Sequence, residues 1–254
     1  MTQEGKLQIS SMTTGKHDEE DQSTKQTSEV WRPEIWDAMS GKMLDHRKVD
    51  IARREEMEFF KNYRVYEKAP INECWQRTGK APIGTKWVDV NKGDEVHEDY
   101  RSRLVAQEIK TYKDDGLYAA TPPLEAKKLL MSMAMTEGIG IKGNKRMKLD
   151  FIDVRRAYFN AEATREIYVK LPPEDEEEGM CGRLIKSMYG TRDAAQNWEI
   201  KYKTFMKDIG FNMCKTSSCI FYHPTREIRA VVHGDDFTLL GEGHQLQWFR
   251  KRIK

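Results

Sequence analysis

The spacing of apolar side chains changes along the chain and predicts helices and strands in mixed order. In some segments apolar residues recur at helical spacing among many charges, which is the pattern of amphipathic helices. The predicted helices span 31–69, 124–136, 155–163 and 192–210. In others, short apolar or alternating runs are bounded by Gly, Pro, Asn and Asp, which predicts strands. The predicted strands span 86–90, 100–107, 147–154, 167–171, 230–232 and 237–240.

Two pairs of these strands are predicted to form hairpins. The polar segment 91–94 joins the first pair, and 233–236 joins the last pair, so the tip of the last hairpin carries Asp235 and Asp236. Hairpins mixed with helices favour the α+β fold class.

The last predicted strand before residue 155 is apolar on both of its faces. Side chains alternate between the faces of a strand, so Leu149 and Phe151 share the face of Asp153. Ile152 and Val154 then lie on the opposite face. We therefore expect either that both faces are covered upstream, or that the strand ends or bulges near Phe151.

Composition narrows the class of protein without identifying it. Of the 254 residues, 38% are hydrophobic and 33% are charged, and no apolar run reaches the roughly 18 residues that a membrane span needs. Residues 1–29 are too polar for a signal peptide, so we expect a disordered tail followed by one domain over 30–254. Four cysteines without a secretory signal indicate reduced thiols and an intracellular protein, cytoplasmic or nuclear. The net charge of +2 does not itself indicate nucleic-acid binding, although basic residues cluster within 101–113 and 142–156.

Three acids are candidate metal ligands: Asp153 at the end of a predicted strand, and Asp235 and Asp236 at the hairpin tip. Carboxylates at strand ends converge when the strands are neighbours in a sheet. Two of them can then hold a pair of magnesium ions for phosphoryl transfer. The Gly-Asp-Asp turn is weak evidence by itself, because Gly and Asp are preferred turn residues.

The order of short motifs around these acids resembles the reverse transcriptases of copia-type retrotransposons. The motifs before the first acid are Lys86-Trp87-Val88, Tyr100-Arg101-Ser102-Arg103-Leu104-Val105-Ala106 and Thr121-Pro122-Pro123. The later motifs are Ile152-Asp153-Val154-Arg155-Arg156-Ala157-Tyr158-Phe159-Asn160, Glu166-Ile167-Tyr168-Val169, Lys186-Ser187-Met188-Tyr189-Gly190, Trp198 and Gly234-Asp235-Asp236. They follow the family's order from about residue 31 to the C-terminus, and the ordered set is highly specific.

The resemblance implies a fold and a catalytic centre. The implied fold is the fingers and palm of a partial right-hand polymerase, with an antiparallel palm sheet that has helices on one face. Asp153 and Asp235 would bind two Mg²⁺ ions, with Mn²⁺ as the alternative, and Asp236 would be a supporting catalytic acid.

The resemblance also implies a nucleotide site. The implied nucleotide-binding residues are Lys86, Arg101, Arg103, Val154, Tyr158 and Asp193. Lys86 and Arg103 would hold the triphosphate, and the backbone carbonyl of Val154 would assist the metal ligands. Tyr158 would lie beneath the sugar and exclude a 2′-hydroxyl.

The chain departs from the family pattern at two places near this site. Asp193 stands where the family has a glutamine that contacts the nucleotide, with Ala195 in place of a nearby proline. An acid beside a triphosphate repels it, so Asp193 predicts weaker nucleotide binding, which Asp193→Gln would restore. His233-Gly234 replaces Tyr-Val before the acid pair.

The implied function is that of an RNA-directed DNA polymerase module within a retrotransposon polyprotein. Its partners would be dNTPs, an RNA or DNA template with its primer, and the rest of the polyprotein, with no membrane. Because the chain ends soon after Asp236, we expect the thumb and ribonuclease H to be absent, and the chain alone not to extend a primer. The alternative is a catalytically dead or domesticated fragment that at most binds nucleic acid. A viral RNA polymerase is a weaker alternative, because the aromatic Tyr158 would exclude its substrates.

Overall fold

Helices and antiparallel strands alternate through the part of the chain that a computed structural model describes, residues 34–94, 96–109, 116–143 and 145–253. The helices are α1 His46–Tyr63, α2 Ile71–Thr78, α3 Leu124–Met135, α4 Ala194–Asp208 and α5 Gly243–Arg252. The strands are β1 Tyr66–Pro70, β2 Thr85–Asn91, β3 Tyr100–Ala106, β4 Ile141–Lys142, β5 Lys145–Arg146, β6 Lys148–Asp153, β7 Tyr168–Val169, β8 Met180–Leu184, β9 Asn212–Met213, β10 Ile220–His223, β11 Ile228–His233 and β12 Asp236–Gly241. The α+β class is confirmed, whereas the predicted tail, 1–29, lies outside the described residues.

The helix predicted over 31–69 is shorter in the structure. α1 begins where Asp45 caps it, its carboxylate accepting from the backbone N–H of Lys48 at 3.0 Å. It ends at Arg64, which adopts the left-handed conformation with φ 50°. The chain then continues as β1, so the prediction ran past the C-terminal end of the helix.

Five strands form the central sheet in the order β6-β12-β11-β10-β9, and all neighbouring pairs are antiparallel. The predicted hairpin is present as β11 and β12. β6 forms one edge of this sheet, where Arg250 of α5 binds Asp150, with Nε 2.7 Å from Oδ2, and also donates to the carbonyl of Phe151 at 3.3 Å.

Helices cover both faces of the central sheet, which corrects the prediction of helices on one face. Phe237 and Leu239 belong to a core with α4 and α5. Leu240 and Val231, which alternate with them in the sheet, pack beneath α3 on the opposite side. The physical reason is that these strands carry apolar side chains on both faces, so both faces of the sheet have to be buried.

α3 covers its face of the sheet only partly. Leu149 packs against the α3 core, whereas Phe151, two residues further along β6, is 58% exposed. Asp153 follows on the same face. Coverage upstream therefore accounts for the two apolar faces of β6, and the end of the strand that carries the acid stays open.

A second region packs around α1. β2 and β3 form the predicted hairpin, and β1, β8 and β7 form a small antiparallel sheet. Their shared core contains Phe60, Leu104, Phe159 and Leu184. The helix predicted over 155–163 is wrong: the segment contains a short 3-10 turn, Ala157–Asn160.

Within the described residues, none of the helices combines the length and the apolar character needed to span a bilayer. All four cysteines are free thiols.

The partial cover provided by α3 gives a direct stability test. Leu130 is 5% exposed against the sheet, whereas its neighbour Leu129 is 59% exposed. Leu130→Ala should lower the free energy of unfolding by about 2–5 kcal/mol, because it leaves a cavity under the helix. Leu129→Ala is the matched control and should change it by less than about 0.5 kcal/mol in urea denaturation. Equal effects of the two substitutions would mean that α3 does not pack on the sheet in this orientation.

Candidate active site

Three carboxylates meet at the open end of the central sheet. Asp153 at the end of β6 is the register partner of Asp236 at the start of β12, and Asp235 occupies the adjoining turn. Oxygen atoms of the three side chains all lie within 4.8 Å of one another. Asp153 and Asp236 are exposed and Asp235 is half-buried. The predicted convergence of these acids is therefore confirmed, and solvent reaches them.

The turn between β11 and β12 suits its sequence. Gly234 has φ +63°, a left-handed conformation that favours glycine, and a Cβ added there would meet no atom within 4 Å. Gly234 is the first of two central residues of a tight hairpin turn, since His233 pairs with Asp236. A residue with a Cβ would carry backbone strain at this position, so glycine suits the turn.

Hydrogen bonds fix this turn from two sides. The backbone N–H of Val154 donates to the carbonyl of Asp235 at 3.0 Å. The indole N–H of Trp198, on α4, donates to the carbonyl of Gly234 at 2.8 Å. Both carbonyls of the turn are held, so the position of the Asp235 side chain depends on β6 and on α4 together.

A cleft of about 630 Å³ opens beside the acids. It is lined by Arg101, Ser102 and Arg103 of β3 together with the acids Asp153 and Asp235. Its lining residues are Ala52, Glu55, Glu56, Glu58, Phe59, Asp99, Tyr100, Arg101, Ser102, Arg103, Asp153, Val154, Arg155, Arg156 and Asp235. A cleft lined by both arginines and carboxylates can bind an anionic ligand together with divalent cations.

The two arginines of β3 differ in their partners. Arg101 is bound to Asp99, with Nη2 2.8 Å from the carboxylate. That hydrogen bond, and to a lesser degree the charge of Asp153, raise the pKa of Arg101. Arg103 makes no ion pair with any described residue, and its guanidinium lies 5.2 Å from the centre of the Tyr189 ring. Of the two arginines of β3, Arg103 is therefore the one whose donors are free of any described carboxylate.

Neither Lys86 nor Tyr158 lines the cleft. Lys86 is exposed on the same face of the β2–β3 hairpin as Arg103, but it does not line the cleft. Tyr158 is half-buried, with its ring centre 4.6 Å from that of Tyr189. Burial raises the pKa of Tyr158, and the charge of Asp235 adds to this effect. Tyr158 is thus close enough to Asp235 to feel its charge, but it does not line the cleft.

Asp193 lies away from this cleft. Its side chain is 2% exposed and pairs with Arg165 at 2.7 Å, while Asn197 donates to it at 3.1 Å. Arg165 also binds Glu108, with Nη1 2.9 Å from Oε1. Burial opposes ionisation, but Arg165 and Asn197 outweigh it and lower the pKa of Asp193. The charge of Asp193 is compensated within the protein, so repulsion of a triphosphate no longer follows from it.

The contacts of several residues at the site could not be inferred from the sequence. Glu56 is buried on α1 and binds Arg156, and Tyr189 contacts both Arg103 and Tyr158. Glu56 and Arg156 are 100 positions apart. No local pattern links residues at that separation.

The fold and the cleft define a class of α+β proteins. In this class, neighbouring antiparallel strands carry carboxylates that share a cleft with the arginines of a hairpin. The sequence matches the family described as reverse transcriptase (RNA-dependent DNA polymerase) over residues 73–254. The chain belongs to this family.

Relatives among curated proteins are copia-type transposon polyproteins. The chain is similar to the retrovirus-related Pol polyprotein from transposon TNT 1-94 of Nicotiana tabacum, with 25% identity over 75% of the chain and 14% of the relative. It is similar to the corresponding polyprotein from transposon RE2 of Arabidopsis thaliana, with 26% identity over 67% of the chain and 12% of the relative. The transposon Ty1-BL Gag-Pol polyprotein of Saccharomyces cerevisiae matches 64% of the chain at 26% identity, over 9% of its own length. The chain therefore spans only a small part of each relative.

The Asp193–Arg165 pair predicts a pH-dependent effect on stability. The lowered pKa of Asp193 means that its stabilising contribution is present above the ordinary carboxyl pKa of about 4 and is lost as the pH falls through the lowered value. Asp193→Asn should lower the free energy of unfolding at pH 7 by about 1–3 kcal/mol, because it breaks a buried charged hydrogen bond. The loss should shrink as the pH falls below about 4.

The matched control is Asp208→Asn at an exposed carboxylate of the same helix, which should leave stability unchanged. Chemical denaturation between pH 3 and pH 7 measures both variants. A stability loss for Asp193→Asn that is the same at every pH would contradict a role for the ionised carboxylate.

Proposed function

We propose that the chain is the reverse-transcriptase module of a copia-type retrotransposon polyprotein and transfers nucleotides from dNTPs to a primer 3′ end on an RNA or DNA template. The proposal is carried by the convergence of Asp153, Asp235 and Asp236 from neighbouring strands at the open end of the sheet. In this proposal the central sheet is the palm, and the β2–β3 hairpin with α1 forms the fingers. The protein would be intracellular. Other parts of the polyprotein would be its covalent partners.

The acid cluster fits divalent cations. Mg²⁺ takes oxygen ligands and keeps several waters, which suits carboxylates that are close together and reachable by solvent. Asp153 and Asp235 would hold two Mg²⁺ ions, or Mn²⁺, whose chemistry is to activate the attacking hydroxyl and to neutralise charge on the leaving phosphate. Asp236 would support the charge balance of the cluster, and the Val154 carbonyl would be an additional oxygen donor.

The arginines of β3 would hold the triphosphate. A guanidinium offers several fixed donors that match phosphate oxygens, and Arg103 has its donors free of any described carboxylate. Arg101 would contribute charge while Asp99 orients it. Lys86, on the same face of the hairpin, would join them if the hairpin closes over the nucleotide.

Tyr158 would select the sugar. Its ring is held against Tyr189 and stands beside Asp235, so a sugar placed above the metal ligands would rest on the Tyr158 ring. A rigid aromatic surface at that place leaves no room for a 2′-hydroxyl. The contribution of Asp193 to nucleotide binding stays a prediction, since its carboxylate is turned to Arg165.

Metal binding and polymerisation together test the proposed function. The purified chain should bind Mn²⁺, measured by electron paramagnetic resonance, and Asp153→Asn and Asp235→Asn should each abolish this binding because they remove a shared ligand. Asp208→Asn, which removes an exposed carboxylate outside the cleft, is the control and should bind Mn²⁺ normally.

The chain joined to the segments that flank the matched region in the tobacco polyprotein should extend a primer on RNA, and both substitutions should abolish extension. Mn²⁺ binding without any extension would favour the alternative, a catalytically dead or domesticated fragment. Mn²⁺ binding that survives both substitutions would exclude the acid cluster as the metal site.

Substitution of Tyr158 should change sugar selection. Tyr158→Ala opens space beneath the sugar and should raise the ratio of ribonucleotide to deoxyribonucleotide incorporation about tenfold or more in the same joined protein. Tyr158→Phe keeps the ring and should keep the wild-type ratio. If the ratio for Tyr158→Ala stays flat, Tyr158 is a packing residue of the core and no more.

A further inference from the structure

One buried ion pair links α1 to the backbone that follows Asp153. Glu56, on α1, is 1% exposed, and its Oε2 accepts from Arg156 Nε at 2.8 Å and lies 2.6 Å from Nη2. Its other oxygen, Oε1, is buried and has no hydrogen-bond partner among the described residues. The guanidinium of Arg156 lies 3.4 Å from the centre of the Phe59 ring, so two side chains of α1 contact Arg156.

Arg156 occupies a backbone conformation that its residue type disfavours. Its φ of 49° and ψ of 47° lie in the left-handed region, which costs a residue with a Cβ free energy. This conformation ends the extended chain of β6 and starts the 3-10 turn that carries Tyr158. The backbone between Asp153 and Tyr158 therefore bends at the residue that α1 holds.

Stability alone does not account for this pair. A buried ion pair gains little over a hydrophobic pair of similar volume, and an unpaired buried oxygen adds a desolvation cost. Burial outweighs the nearby arginines and raises the pKa of Glu56, which reports the same cost. Such a pair instead fixes the position of Arg156 relative to α1, because the carboxylate and the guanidinium must meet in one arrangement.

α1 also contacts the strand that carries the arginines. It packs against β3, and its Arg53 binds Asp89 of β2 at 2.7 Å. The same helix thus fixes the arginine-bearing hairpin and the bend between Asp153 and Tyr158. Glu56 and Arg156 both line the cleft between these two parts.

We propose that Glu56 and Arg156 are positioning residues that hold the bend after β6, and thereby set the place of Asp153 and Tyr158 relative to the arginines of β3. The inference rests on the proposed function, since it assigns a purpose to the spacing of a metal ligand and a sugar-selecting ring. Neither residue touches the reacting atoms.

The test uses variants that distinguish the effect of the Glu56–Arg156 ion pair from the effect of the strained backbone at Arg156. Arg156→Gly removes the guanidinium and also the strain, because glycine adopts a positive φ freely. Glu56→Gln keeps the shape of the side chain and removes its charge. Glu55→Gln is the matched control, an exposed carboxylate one residue away that lines the same cleft.

The full chain is titrated with Mn²⁺ by electron paramagnetic resonance, and hydrogen exchange is followed in residues 154–160. Arg156→Gly should weaken Mn²⁺ binding about tenfold, the scale seen when residues supporting metal ligands are lost. It should also speed exchange of the Val154 and Phe159 amides, which donate to Asp235 and Arg156. Glu56→Gln should act in the same direction, and the double variant should be no worse than Arg156→Gly, since both break one interaction.

The control outcomes keep the two proposals apart. Asp153→Asn, titrated in parallel, must abolish Mn²⁺ binding, and if it does not, the proposed function fails. If Asp153→Asn abolishes binding while Arg156→Gly and Glu56→Gln keep wild-type Mn²⁺ affinity, the positioning role is refuted. Should Arg156→Gly fail to fold, Glu56→Gln decides the question alone, because it is isosteric. An equal effect of Glu55→Gln would show that general charge, and not the pair, sets metal affinity.

Discussion

The pairing register between β6 and β12 is the constraint on which the rest of the site depends. It places Asp153 opposite Asp236 and, two pairs of the ladder further on, Phe151 opposite Thr238. A slip by one residue would turn every side chain of β6 to the other face and send the acid into the apolar core. The register is specified because both faces of the strand are engaged: Ile152 packs with Phe237 on one side and Leu149 with Leu240 on the other. Burial of apolar side chains along β6 and β12 therefore determines which oxygens meet in the cleft.

Sequence patterns predicted the helices and hairpins that are determined by residues close together in the chain. The β2–β3 hairpin, α3, α4 and the β11–β12 hairpin follow from side-chain spacing and turn residues, and the meeting of Asp153 with the Asp235-Asp236 turn follows from strand alternation and motif order. The helix predicted over 155–163 failed because Glu56, far away in sequence, holds Arg156 in a conformation that no helix contains. β8 was missed because its partner β1 comes from a distant segment of the chain. β10 was missed although it pairs with β11, the next strand along the chain.

Charge compensation could not be read from the sequence for the same reason. Asp193 suggested a repulsive charge beside a nucleotide as long as its partner was unknown, and the structure supplies Arg165, 28 positions earlier. The identity of a side chain fixes its charge, but only the fold decides which charge it faces. The arginines of β3 differ in this respect: Arg101 pairs with Asp99, two positions before it, whereas Arg103 forms no ion pair with any described residue.

The edge position of β6 has a consequence for how the chain avoids its own copies. An edge strand presents unpaired backbone groups, and a long apolar one invites strands from other molecules to add to the sheet and start aggregation. β6 carries the exposed Phe151 at this edge, yet Arg250 occupies the Phe151 carbonyl and brings a charged pair with Asp150 alongside it. A second chain docking there would have to displace the arginine and bury its charge. α5, which packs against the core of the sheet, thus also disfavours self-association at this edge, next to a strand end that is exposed to solvent.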